Sequence, residues 1–139
     1  MNHPVVNLGY RIECNGKSVF FTGDHEPYTN IYEPGDEGYA EYQQIIEQKQ
    51  AEIDAIMRGV DVLIVDASYT VEEYPAKRGW GHSTWQEGVR LCQAAGAKRL
   101  VVFHHDPDHD DDTLDAIARE VEQAMPGSLL AREGLVLEV

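Results

Sequence analysis

Cysteine is scarce in this sequence, and long apolar runs are absent. The two cysteines, Cys14 and Cys92, follow no CxxC or zinc-ribbon spacing, which argues against a cysteine-based metal site. Both fit apolar positions of predicted elements, so we expect two buried thiols. No segment is long and apolar enough to span a bilayer, and no signal peptide is evident. The expected compartment is therefore a reducing cytoplasm.

Basic residues are also few. The chain has 11 Lys and Arg against 25 Asp and Glu, a net charge of −14, so a phosphate backbone meets a repulsive average field. A general nucleic-acid binder is therefore disfavoured. Hydrophobic residues make up 42% and charged residues 26% of 139 residues, which is typical of a folded protein and predicts one domain over residues 1–139.

Hydrophobic patterning predicts strands that alternate with helices, in an α/β protein with a mixed sheet. The expected order is ββ-α-β-α-β-α-ββ. The first half comprises a hairpin of residues 5–14 and 18–22 around Asn15-Gly16, a helix over 39–58 and a strand over 61–66. A helix follows from a Ser83 or Thr84 cap to about Ala95, and then a strand over 99–103. The last elements are a helix from Asp112 or Thr113 to about Met125 and a closing β pair of 128–133 and 135–139.

Chemically active side chains are concentrated in five short segments at predicted strand ends. These are Asn2-His3-Pro4, Thr22-Gly23-Asp24, Asp66-Ala67-Ser68, Gly81-His82-Ser83-Thr84 and His104-His105-Asp106. Loops after strand carboxyl ends converge on one edge of an α/β sheet, so these side chains are expected to meet. Imidazole and carboxylate suit Zn²⁺, Mn²⁺ or Fe, and a carboxylate can bridge two ions in a hydrolytic pair. A metallohydrolase is therefore plausible.

Each of these residues, taken alone, also fits a structural role. Asp24 suits a solvated turn, His3 a surface position near the N-terminus, and His82 a helix entry beside capping hydroxyls. The run from His104 to Asp112 fits either a cation-binding loop or a solvated loop whose acids favour the next helix N-terminus. Trp80 and Trp85 bracket His82 and suit either a pocket wall or ordinary packing.

Several motifs together resemble the metallo-β-lactamase fold superfamily, in particular the branch of ribonuclease Z and related phosphodiesterases. The resemblance covers nearly the whole chain. The motifs are HP-x3-LGYRIE from His3 to Glu13, GKSVFFTGD from Gly16 to Asp24, LIVDASY from Leu63 to Tyr69, His82-Ser83-Thr84, LVVFHH from Leu100 to His105, and the ending REGLVLEV.

The resemblance implies a role for five residues. Asp24 would bridge two metal ions, with His3 on one and His104 on the other. Asp66 would orient His82, which would donate a proton to the leaving oxygen. The implied cofactor is a divalent metal, Zn first and Mn or Fe next, and the implied substrate is a phosphodiester. A small phosphodiester is favoured over tRNA, because tRNA requires a basic surface.

The sequence also departs from the superfamily pattern. The H-x-H-x-D-H motif, which supplies most of the first metal shell, is absent. The chain thus resembles the C-terminal half of an αββα sandwich, with one sheet face lacking its covering layer. We expect a homo-oligomer or a separately encoded N-terminal-half partner, and no membrane partner. Two hypotheses follow: a metal-dependent phosphodiesterase completed by a partner, or an inactive truncated fragment that associates without a functional metal site.

Overall fold

A five-stranded mixed sheet forms the centre of the computed structural model, which describes residues 1–139. The strands are β1 (Tyr10–Cys14), β2 (Lys17–Phe21), β3 (Val62–Asp66), β4 (Arg99–Phe103) and β5 (Leu129–Leu130), and they lie side by side in that order. β1 and β2 are antiparallel, whereas β2 to β5 run parallel. The carboxyl ends of β2, β3 and β4 therefore lie at one edge of the sheet.

Four helices connect the strands. They are α1 (Tyr39–Met57), α2 (Tyr74–Lys77), α3 (Trp85–Ala95) and α4 (Asp111–Ala124). The core forms between the helices α1, α3 and α4 and the sheet, and its fully buried members are large aliphatic side chains such as Met57, Leu63, Leu91, Leu100 and Val121. Burying a side chain of this kind contributes about 1.5–3 kcal/mol. None of the helices combines the length and apolar character needed to cross a bilayer.

The predicted hairpin turn and the predicted ends of α3 are confirmed, because residues at those positions have the required turn or capping side chains. Asn15 and Gly16 adopt the positive φ angles, 50° and 76°, that a tight hairpin requires. The Thr84 side chain caps α3 by accepting a hydrogen bond from the Glu87 amide, and Gly96 ends the helix with a φ of 63°. The helix α4 begins slightly earlier than predicted, with Asp110 as its cap.

The predicted closing β pair is wrong. Only Leu129–Leu130 is a strand, and residues 131–139 contain none. The β5 strand pairs in parallel with β4, and the pairing ends where the Ala131 amide donates to the Val102 carbonyl. A turn follows, in which the Leu135 amide donates to the Arg132 carbonyl, and the remaining residues join no strand. The short helix α2 was not predicted.

The sequence also overestimates the N-terminal strand. Strand β1 begins at Tyr10 instead of residue 5, because residues before it are bound elsewhere: the Asn7 side chain, for example, donates to the Asp24 carbonyl. The expectation of two buried thiols is half wrong. Cys92 is buried against the core, whereas Cys14 ends the edge strand β1 and is exposed.

The face of the sheet away from the helices is covered at its centre, where Val62 and Val101 are 3% exposed, and is open at its β1 edge. On the helix side, Phe20, Leu63 and Leu100 are at most 3% exposed. On the opposite side, the edge-strand residues Tyr10 and Ile12 are 55% and 58% exposed. This difference leaves an apolar strip on β1 and just before it. We call it the β1 strip and define it as Leu8, Tyr10 and Ile12.

Candidate metal centre

The five site residues predicted from sequence form one cluster at the carboxyl edge of the sheet. Asp24 follows β2, Asp66 ends β3 and His104 follows β4. His3 comes from the N-terminal segment, and His82 from the loop before α3. Potential ligand atoms of Asp24, Asp66, His82 and His104 all lie within 4.8 Å of one another.

Asp24 lies between two imidazoles. Its Oδ2 is 3.7 Å from His3 Nε2, and its Oδ1 is 3.5 Å from His104 Nε2. Both distances are too long for a good hydrogen bond. Two ligand atoms of a tetrahedral zinc site, each about 2.0–2.1 Å from the ion, lie roughly 3.4 Å apart. The spacing therefore fits a metal site in which Asp24, His3 and His104 would be ligands.

His104 is held in an unusual backbone conformation. Its φ is 63°, a left-handed value that is uncommon outside glycine and often marks a functional site. Its Nδ1 lies 2.8 Å from Ser68 Oγ, and that hydroxyl also reaches Asp66 Oδ1 at 3.0 Å. Because the hydroxyl has one proton, which it gives to an oxygen acceptor, the imidazole Nδ1–H is the donor to Ser68. This tautomer leaves Nε2 free as a ligand atom.

Asp66 and His82 form a second, tighter unit. The His82 Nδ1–H donates to Asp66 Oδ2 at 2.7 Å, and the carboxylate is fully buried. Asp66 also accepts bonds from the amides of His25 and Ser68. A carboxylate with this many donors is held rigidly and orients the imidazole, whose Nε2 remains free for proton transfer.

The three imidazoles pack against one another. The ring of His82 stacks on that of His104, with centroids 4.7 Å apart and planes 17° apart. The ring of His3 meets His82 edge-on at 5.6 Å. His82 therefore contacts both of the imidazoles that flank Asp24.

His25 is a buried residue that the sequence reasoning missed. It is 2% exposed, and burial, together with the N-terminal charge and Arg90, lowers its pKa to about 4. The imidazole is therefore neutral at pH 7. Its Nδ1 accepts a hydrogen bond from the Asn2 amide at 3.1 Å, which anchors the segment that carries His3. No sequence signal separates this role from that of a ligand.

The other residues considered from sequence do not join the cluster. His105 Nε2 contacts the Ala131 carbonyl at 3.0 Å, and burial is the main cause of its lowered pKa. His109 pairs with Glu73 at 2.9 Å. Trp85 is 8% exposed and belongs to the core, whereas Trp80 is 59% exposed and lies under the Lys77 ammonium. The two tryptophans therefore play different roles.

Sequence comparisons identify the family. A family model described as "Beta-lactamase superfamily domain" matches residues 1–105. Ribonuclease Z of Gemmatimonas aurantiaca is 32% identical over 85 residues, which are 61% of this chain and 27% of that protein. Ribonuclease Z of Brevibacillus brevis is 27% identical over 120 residues, 84% of this chain and 31% of that protein. The chain therefore belongs to the beta-lactamase superfamily, in its ribonuclease Z-like branch.

Solved structures agree on the fold. The metallo-beta-lactamase fold protein YhfI from Bacillus subtilis aligns with 98% of this chain and 46% of its own, at a TM-score of 0.67 and 21% identity. The short form of human tRNase Z aligns with 94% of this chain and 36% of its own, at a TM-score of 0.57 and 20% identity. The curated ribonucleases Z are also longer, and the chain spans about a third of their length. Members of the superfamily usually bind divalent metal, and the donor set around Asp24 fits such an ion.

Proposed function

We propose that this chain provides one part of the metal centre of a zinc-dependent phosphodiesterase. The observation that carries the proposal is the arrangement at Asp24, with an imidazole nitrogen 3.5–3.7 Å from each carboxylate oxygen. Membership of a ribonuclease Z-like branch supports the reaction class. Zinc is favoured because imidazole and carboxylate are ligands that it binds well in hydrolytic sites.

The residues divide the chemistry between them. Asp24, His3 and His104 would hold the ions, which supply Lewis acidity for a phosphoryl oxygen. Asp66 keeps the His82 ring in one orientation through the 2.7 Å bond to Nδ1. His82 Nε2 is then free to carry a proton to the leaving oxygen, a contribution of about 10²–10⁴-fold in rate for general-acid catalysis.

A small phosphodiester is the substrate class that we favour. A cavity of about 510 Å³ lies beside His3, and its lining includes Tyr28 and Arg78, which could bind a phosphodiester, together with Glu26 and Glu33. A larger cavity of about 630 Å³ between β4, β5 and α4 contains none of the five site residues. The smaller cavity is the better substrate site for that reason. The charge of −14 disfavours a polymeric RNA substrate.

The proposal includes a partner, because this chain alone provides too few ligands. Three candidate ligands for two ions fall short of the three protein ligands that each catalytic zinc ordinarily has. The sequence contains no H-x-H-x-D-H motif, so the missing ligands would come from another polypeptide segment. The alternative, a chain that folds and associates without a functional metal site, is favoured by the same shortage.

Metal content per chain is the measurement that tests the proposal first. Elemental analysis of the chain together with its partner segment, purified without chelator or affinity tag, is expected to find about one or more zinc per chain, lost in Asp24→Ala. Asp108→Ala is the matched control, because Asp108 lies in the neighbouring acidic loop, outside the cluster. If Asp108→Ala removes the metal and Asp24→Ala does not, the ion belongs to the loop and the proposed centre is wrong.

Turnover is the second test. A chromogenic phosphodiester should be hydrolysed by the metal-loaded assembly, and a chelator should abolish the reaction. A metal-free chain whose melting temperature does not change with chelator, and which gives no turnover, would favour the non-catalytic alternative.

A further inference from the structure

Glu26 is a buried carboxylate outside the metal cluster, and the proposed chemistry does not use it. It lies two residues after Asp24 and is 5% exposed. Its Oε1 accepts hydrogen bonds from the Tyr74 hydroxyl at 2.9 Å and from the Gly79 amide at 2.8 Å. Its Oε2 accepts one from the Gly81 amide at 2.8 Å. All three donors are neutral.

A carboxylate in this position requires these bonds. Burying a charged group is costly unless it is well paired, and bonds from amides to an ionised oxygen are stronger than those between neutral groups. Gly79 and Gly81 have φ angles of 87° and 95°, which turn their amides toward the carboxylate. The loop that carries His82 is thus wrapped around the carboxylate of Glu26.

The backbone of Glu26 holds the other histidine segment. The Glu26 amide donates to the Asn2 carbonyl at 2.9 Å, and the Asn2 side-chain amide donates to the Glu26 carbonyl at 3.0 Å. His3 follows Asn2 directly. One residue therefore binds the segment of His3 through its main chain and the loop of His82 through its side chain.

The two segments also touch at Gly81. A Cβ atom at that position would lie 2.2 Å from His3 Cδ2, so His3 rests against the Gly81 backbone. A shift of Gly81 would move His82, its neighbour in sequence, and would remove the surface on which His3 rests.

We propose that Glu26 is a positioning residue, which fixes His82 and His3 beside Asp24 by holding the Gly81 amide and the Asn2 backbone. The inference rests on the proposed function for its catalytic meaning, although the positioning itself can be measured without turnover.

Glu26→Gln is the informative substitution. A glutamine side chain has one oxygen, which would serve the two donors, Tyr74 and Gly79, and would leave its NH₂ group facing the Gly81 amide. Gly81 then loses its acceptor, with little change in side-chain volume. Tyr74→Phe is the matched control, because it removes one bond to Glu26 and leaves the carboxylate to Gly81.

The first arm uses NMR on the full chain. In Glu26→Gln, we expect the Gly81 amide to exchange with solvent at least tenfold faster than in wild type, and the His82 Nδ1–H resonance to broaden as its bond to Asp66 weakens. In Tyr74→Phe, both signals should stay as in wild type. Unchanged Gly81 exchange in Glu26→Gln would overturn the proposal. If Glu26→Gln does not fold, Glu26→Asp, which retracts the carboxylate by one methylene, is measured in the same way.

The second arm uses aryl phosphodiesters whose leaving phenols differ in acidity. A misplaced proton donor matters most for poor leaving groups, so Glu26→Gln should lose at least tenfold more kcat with phenol than with 4-nitrophenol, with KM changed less than twofold. An equal loss for both would overturn the positioning role. An inactive wild-type assembly would instead contradict the proposed function, and the NMR arm would still test Glu26.

Discussion

At the scale of single residues, the site depends on backbone conformations that few side chains adopt. His104 is a left-handed residue held by Ser68, and Gly81 is left-handed at the point where His3 rests on the loop. Strain of this kind costs about 1–3 kcal/mol where a side chain is present. The backbone therefore has left-handed conformations at the positions where the imidazoles come together.

Gly81→Ala and Gly79→Ala separate strain from contact. Both glycines have similar positive φ angles, and both amides donate to Glu26. A Cβ at Gly81 collides with His3 and Pro4, whereas a Cβ at Gly79 meets nothing within 4 Å. Both variants should lose about 1–2 kcal/mol of stability from strain. Only Gly81→Ala should also weaken zinc binding, by at least tenfold in a competition titration with a chromophoric chelator.

A zinc affinity equal to that of wild type in both variants would show that His3 is not part of the centre. Equal weakening in both would instead assign the effect to the loop as a whole.

The residues that carry charge and imidazole were predictable, whereas those that hold them were not. Asp24, Asp66 and His104 lie at the carboxyl ends of recognisable strands, so their convergence follows from sheet geometry. Glu26 and His25 have no such signal, because their burial depends on how the loop at 70–82 and the N-terminal segment fold over them.

At the scale of elements, the parallel strands β2, β3 and β4 must stay in register for the site to form. Asp61 lies just before β3, at the edge of the sheet opposite the metal centre, and helps to hold this register. It accepts bonds from the Ser18 amide at 2.8 Å and from Lys98 Nζ at 2.7 Å, and it thereby ties β2 and the start of β4 to β3. The Lys98 hydrogen bond is the main cause that lowers the pKa of Asp61 to about 2.

This pKa predicts an acid-sensitive contribution to stability. The ordinary pKa of Asp61 is 3.8, so the unfolded chain takes up the proton before the folded chain does. The contribution is therefore complete above about pH 4 and is lost as the pH falls toward 2. Asp61→Asn should flatten the fall in urea midpoint between pH 4 and pH 2, and the exposed Asp108→Asn should not. An Asp61→Asn midpoint that falls as steeply as wild type would contradict this assignment.

Helix ends and turns that depend on neighbouring residues were predicted correctly. Strands that depend on pairing with a distant segment were not. The cap at Thr84 and the turn at Asn15 can be recognised in the sequence. The final residues 135–139 carry a strand-like pattern, but they pair with no strand after the turn at Gly134. Propensity alone does not supply a pairing edge.

At the scale of the whole molecule, the apolar surface that the sheet leaves open lies at its β1 edge. The helix side is sealed, whereas Leu8, Tyr10 and Ile12 of the β1 strip are 55–60% exposed. An exposed apolar strip at the edge of a sheet commonly marks an interface. The curated relatives are longer than this chain, since the matched residues are 27% of Gemmatimonas aurantiaca ribonuclease Z. We therefore expect a partner segment to pack on this face.

The occupant that we propose is a different polypeptide segment carrying the missing histidines, and not a second copy. Two copies would bring a charge of −14 against −14 and would supply the same three ligands twice. Sedimentation of the isolated chain should therefore show a monomer that binds a hydrophobic dye. Ile12→Lys should reduce the dye signal several-fold, because it places a charge in the β1 strip. Ile56→Lys is the matched control, because Ile56 is 50% exposed but lies on α1.

The part of Gemmatimonas aurantiaca ribonuclease Z that this chain does not cover is the probe for the partner. When it is co-expressed with this chain, we expect the two to co-purify and the zinc content to rise, and Ile12→Lys should abolish both effects while Ile56→Lys leaves them intact. A stable dimer of the isolated chain that Ile12→Lys dissociates would contradict the proposed occupant. The β1 strip would then join two copies, and the metal shell would have to be completed by their shared Asp24, His3 and His104 groups.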